Sequence, residues 1–158
     1  MLKFLIIFIL SACTMLSLNN KQKWFYQLQD VNFKSLEPIN DSYIVLDAYD
    51  DNGDPFSKRD IKKLQKKENM IFSYLSIGEA ESYRPYYKRL DKDLLLDENK
   101  KWDGNYTVKF WEEQWQKLIS EYLQMIISQG FDGVYLDIID VFHRFKDKPL
   151  YANKMIDF

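Results

Sequence analysis

A chain of 158 residues, 46% hydrophobic and 16% aromatic, is long enough to bury one core and too apolar for a disordered tether. A formal net charge of −2, with 22 basic against 24 acidic residues, leaves no basic excess and argues against a nucleic-acid partner. One cysteine and one histidine exclude a disulfide framework and make a zinc centre or a Ser-His-Asp triad hard to build, so neither metal nor cofactor is expected.

Lys3, an apolar run from Phe4 to Leu10, and small residues describe a secretory signal over residues 1–12. The run is too short for a bilayer span, which takes about 20 apolar residues. Leu10-Ser11-Ala12-Cys13 resembles the bacterial lipobox, which implies cleavage before Cys13, lipidation of its sulfur, and an exported protein anchored to a membrane of the cell envelope. An ordinary signal with a chance cysteine is the alternative. Residues 13–23 read as the lipidated N-terminus and tether, and 24–158 as the folded domain.

Trp24–Gln29 reads as a first strand and Tyr43–Tyr49 as a second, with Asp47 near its end. Asp50–Pro55 is a loop. It is a poor calcium loop, because Ala48 and Arg59 fall where end ligands belong. Ser57, with Asp60 three residues on, caps a helix that buries Ile61 and Leu64. Met70–Glu79 is a third strand ending in Gly and an acid, and Asn105–Phe110 a fourth. Trp111, Trp115, Leu118, Ile119, Tyr122, Leu123 and Ile126 make one face of a helix over about Glu112–Gln129, which Gly130 ends. The fifth strand lies in GFDGVYLDIID, Gly130–Asp140. Ala152–Phe158 reads as the start of another helix. Strands alternating with helices predict an α/β fold of parallel βα units, either a five-stranded layer or the front part of a barrel. A complete eightfold barrel takes about 250 residues.

Acids recur where strands run out: Asp47, Glu79, then Asp137 and Asp140. At the mouth of a parallel barrel, paired carboxylates are suited to cleaving a glycosidic bond, although each acid singly also reads as a cap or loop residue. In the fifth strand Gly133, Tyr135 and Asp137 fall on one face and Val134, Leu136 and Ile138 on the other. Aromatics crowd the loops, and Trp102 beside Asp103-Gly104 is the best sugar platform, whereas Trp111 and Trp115 read as core. Arg84 could orient a substrate or pair with Glu81.

WFYQLQ, IVLDAYDDNGDPFSKRDI, SYLSIGEAESYRPYY, WDGNYTVKFW and GFDGVYLDIID occur in order. Together they resemble the endo-α-1,4-polygalactosaminidases, glycoside hydrolase family 114. The resemblance implies a partial (β/α)8 TIM-type barrel, about five βα units of it, and hydrolysis of a galactosamine-containing polysaccharide. Carried over by position, it implies Asp137 as the catalytic carboxylate. Asp132 and Asp140 match acidic positions in the same block, which also holds Tyr135, and Asp47, Glu79 and Arg84 match sugar-binding mouth positions, while Trp102 joins the substrate-binding set from its own loop position. The family's second catalytic carboxylate is expected on a later strand beyond Phe158, which implies a truncated chain. A non-catalytic polysaccharide-binding lipoprotein, or an inactive copy, is the alternative.

Overall fold

The computed structural model describes residues 23–158. The expected signal segment and Cys13 lie outside the described residues, and Lys23, expected to close the tether, opens the first strand. In chain order the elements are β1 (Lys23–Gln27), α1 (Phe33–Leu36), β2 (Ser42–Leu46), α2 (Lys58–Gln65), β3 (Met70–Ser76), β4 (Glu79–Glu81), β5 (Leu95–Glu98), β6 (Asn105–Val108), α3 (Glu113–Ser128), β7 (Gly133–Asp137) and α4 (Lys148–Ile156). Tight three-ten turns occupy Pro85–Arg89, Lys92–Leu94 and Val141–Arg144. Among the described residues, no helix is long and apolar enough to cross a membrane.

Four strands form one parallel sheet in the order β1-β2-β3-β7. Ile44 and Leu46 of β2 and Ile71 and Leu75 of β3 alternate onto one face, where they join Ile61 and Leu64 of α2 and Trp115, Ile119 and Ile126 of α3 in a single core. Burying each of these side chains contributes about 1.5–3 kcal/mol against exposure. α2 begins as expected: the Ser57 hydroxyl accepts from the Asp60 backbone N–H and donates to Asp60 Oδ2 at 2.7 Å. α3 ends at Gly130, whose φ of +99° a side chain would strain.

The expected fourth strand forms, but elsewhere. β6 pairs antiparallel with β4 and β5 in a separate three-stranded sheet, so the parallel sheet holds four strands rather than five. The cause is at Ile77-Gly78. The run expected as one strand from Met70 to Glu79 breaks there, and Glu79–Glu81 turns to pair with Asn105–Thr107. The antiparallel sheet is thus an insertion between β3 and α3, seated over the C-terminal end of β3.

The pattern of GFDGVYLDIID predicts a buried strand whose Val134, Leu136 and Ile138 pack on helices, and β7 differs from that. It pairs only with β3 among the described residues, and Leu136, expected against helices, is 48% exposed. Val134 does pack against the core. The register Tyr74↔Tyr135 and Ser76↔Asp137 puts Tyr74, Ser76, Tyr135 and Asp137 on the face opposite the helices.

Candidate active site

The C-terminal ends of β2, β3 and β7 open onto a cleft of about 1010 Å3, lined by Asp47, Glu79, Glu81, Arg84, Trp102 and Asp137 among others. Parallel pairing is what brings these ends together, because every strand then delivers its last residue to the same side.

Asp47 follows β2 directly and is bound at both oxygens by Arg84, Nη1 to Oδ1 at 2.5 Å and Nη2 to Oδ2 at 2.9 Å. Arg84 Nε donates to Glu81 Oε2 at 2.6 Å, and the Tyr83 hydroxyl donates to Glu81 Oε1 at 2.6 Å. Arg84 is only 4% exposed. Burial works against its charge, but the hydrogen bonds to Asp47 and the Glu81 charge outweigh it, so the guanidinium holds its proton more tightly than a free one. A fork clamped on two carboxylates in this way is a strut between β2 and the turn after β4. Of the two roles open to Arg84 in the sequence, the pairing with Glu81 is the one present.

Glu79 is 1% exposed. Arg144 Nη1 reaches its Oε1 at 2.6 Å and Thr107 Oγ1 at 2.5 Å, and Asn99 Nδ2 donates to Oε1 at 3.0 Å. Glu79 therefore ties the antiparallel insertion to the turn after β7.

Asp137 ends β7. Among the described residues its carboxylate enters no ion pair, whereas Asp47, Glu81 and Glu79 are each held by an arginine. Tyr74 stands on the neighbouring strand, on the same sheet face as Asp137 and near enough to feel its charge. Burial first, then the Glu81 and Asp137 charges, hold the Tyr74 proton far above the ordinary tyrosine range. Tyr26 is pushed up to about 12, by partial burial first and then by Asp137, Tyr135, Glu81 and Asp47. One phenol feeling three carboxylates from different strands is the electrostatic sign that they share a mouth.

The backbone around Asp137 is tightly determined. Ile138 has φ +59°, an uncommon conformation for a β-branched residue. Asp137 O accepts from Ile77 N at 3.1 Å. Gly78 passes so close that a Cβ there would stand 2.3 Å from Ile138 O, so no side chain fits without moving the turn that follows Asp137.

Trp102 stands 67% exposed in the β5–β6 loop at the cleft. Tyr135 lies edge-on against Tyr26 on the sheet face leading to the cleft, with ring centroids 5.6 Å apart. Asp140 is exposed at the start of the turn after β7, and it does not line the cleft. Asp132 is a correction. It precedes β7, so parallel topology puts it at the opposite end of the sheet, where its carboxylate accepts from Ile71 N at 2.7 Å and Gln65 Nε2 at 3.0 Å. Its task there is to pin the start of β3. Tyr26, Tyr74, Asn99 and Arg144 are site or supporting residues that sequence reasoning missed. For Tyr74 there was a signal, since it sits two residues before Ser76 on one strand face. Asn99 and Arg144 carry none.

A cleft at the C-terminal ends of parallel strands, with a strand-end carboxylate and exposed aromatics, is where a barrel of this type places its chemistry. The chain is 40% identical over 151 residues to an uncharacterized protein of Methanocaldococcus jannaschii, covering 89% of this chain and 43% of that protein. It is 35% identical over 147 residues to an uncharacterized protein of Deinococcus radiodurans, covering 89% of this chain and 47% of that protein. The chain thus spans about half the length of the curated relatives it matches. Its fold is similar to the glycoside hydrolase domain of PelA from Pseudomonas aeruginosa, with a TM-score of 0.69 and 14% identity over 86% of this chain and 53% of that one. It is equally similar to Aspergillus fumigatus Ega3 in complex with galactosamine, with a TM-score of 0.69 and 21% identity over 87% of this chain and 52% of that one. Both likenesses show the fold, an α/β barrel type of which this chain carries four parallel strands. With the model of glycoside-hydrolase family GH114 matching residues 10–158, the chain belongs to that family.

Proposed function

We propose that the chain acts in hydrolysis of an α-1,4-linked, galactosamine-containing polysaccharide, with Asp137 as its catalytic carboxylate. The observation that carries this reading is a contrast in the cleft: Asp47, Glu79 and Glu81 are each held by an arginine, and among the described residues Asp137 is not. A carboxylate engaged by a guanidinium makes a poor nucleophile. Asp137 instead has two phenols, Tyr74 and Tyr26, within reach of its charge. Asp137 attacks the anomeric carbon or stabilises positive charge there, while a second acid protonates the leaving oxygen and water completes the hydrolysis. The galactosamine bound in Ega3 supports the sugar class, as do the acids around the cleft, which suit a cationic amino sugar.

The test is reducing-end release from α-1,4-polygalactosamine by the wild-type chain and by Asp137→Asn. The substitution is expected to lower the rate roughly 100- to 10,000-fold. Equal rates would remove Asp137 from the mechanism. Binding without turnover in the wild type would favour a polysaccharide-binding module. Export and lipid anchoring through Cys13 belong to the same proposal and rest on the sequence alone. Cys13→Ser is expected to release the protein from the membrane fraction, and unchanged fractionation would refute the anchor.

A further inference from the structure

Tyr83 combines exposure with rigidity. Its side chain is 64% exposed, yet its hydroxyl is fixed to Glu81 Oε1 at 2.6 Å and one ring face rests over the Arg84 guanidinium, 4.9 Å from Cζ to centroid. Arg84 is itself immobilised by Glu81 Oε2 and both oxygens of Asp47. The ring is therefore oriented by charged partners on one face, and the exposed residue lines the cleft that holds Asp137.

An ordered aromatic face has little freedom left to lose, so a ligand that stacks on it keeps most of the contact free energy. The cation already on the back face draws down the ring's negative potential. A second cation is then a poor occupant of the open face, whereas the C–H face of a pyranose, held mainly by dispersion and apolar contact, loses far less. We propose that the open face of Tyr83 is a sugar-stacking subsite, taking the C–H face of a pyranose unit of a chain whose reacting unit lies at Asp137. The proposal rests on the glycan reading above. It also assigns Arg84 a second role as the support of this platform.

The test uses the whole chain with ring-labelled tyrosine and three probes: α-1,4-galactosamine tetrasaccharide, its N-acetylated counterpart and maltotetraose. Tyr83 resonances, identified by their absence in Tyr83→Phe, are expected to shift on adding the galactosamine oligomer. Tyr83→Ala is expected to weaken binding about tenfold. Tyr83→Phe keeps the ring and is expected to stay within about threefold. Should Tyr83→Ala fail to fold, the wild-type ring shift decides by itself. Unmoved Tyr83 resonances at saturation, or unchanged affinity in a folded Tyr83→Ala, would overturn the subsite while leaving the galactosamine reading intact. Maltotetraose shifting Tyr83 while both galactosamine probes are ignored would leave the subsite standing and remove that reading. No shift with any probe would overturn the subsite.

Discussion

Arg84 shows how little a residue type says about its task. The sequence offers Arg84, Asp47 and Glu79 as sugar contacts, and all three do line the cleft. Their partners are what the sequence hides. Asp47 lies 37 residues from Arg84, and Glu79 finds Arg144 beyond β7. Two buried carboxylates on one buried guanidinium form an interdependent unit, because removing the cation leaves both anions without compensation. Arg84→Met is therefore expected to destabilise the fold by about 3–5 kcal/mol in urea unfolding. Arg84→Lys should recover only a small part of it, since one ammonium cannot reproduce the fork. A loss below about 1 kcal/mol, the range of a surface pair, would show that the strut carries no structural load. Asp137 was legible for a different reason: its place at a strand end follows from the two-residue alternation of GVYLD, with no distant partner needed.

At the scale of elements, legibility follows length and periodicity. α3 is sixteen residues long with its apolar positions at helical spacing, and its bounds fall within a residue of the reading. β4 and β5 have three and four residues, too few to show alternation, and both were missed. Their pairing with β6 is a long-range choice that also removed one strand from the expected parallel layer. The start of α2 was read correctly from two residues and yields a prediction. Ser57→Ala deletes the cap to Asp60 N and the bond to its carboxylate, and should cost about 1 kcal/mol. The Ser57 bond first, then the Lys63 bond, hold the Asp60 carboxyl below its usual range. A carboxyl lowered in the folded state stabilises it above the unfolded pKa and ceases to as pH falls through the folded one. The Ser57→Ala deficit should accordingly be smaller at about pH 3 than at pH 7 in paired urea melts, and a deficit that grows on acidification would contradict this sign.

Across the whole molecule, one sheet face is closed by α2 and α3, and the other runs as a band of rings from Trp24 and Tyr43 through Phe72 to Tyr26 and Tyr135. The barrel type was legible from the order of five sequence blocks. The unequal covering of the two faces was not, because a run such as YIVLDAY reads as equally apolar on both sides. That asymmetry distributes the tryptophans by depth. Trp115 has no exposed surface and donates its indole N–H to Ile77 O at 2.9 Å, at the point where β3 breaks. Trp24 and Trp102 face water. The protein therefore carries an optical gauge of its own fold. Excited near 295 nm, Trp115 should emit at short wavelength and resist acrylamide, half-buried Trp111 should fall between, and the exposed pair should emit further to the red and be quenched. Sugar entering the cleft should shield Trp102 and leave the blue component still. A blue component that moved with ligand would instead report that the β3 break, and with it the junction beneath Asp137, shifts on binding.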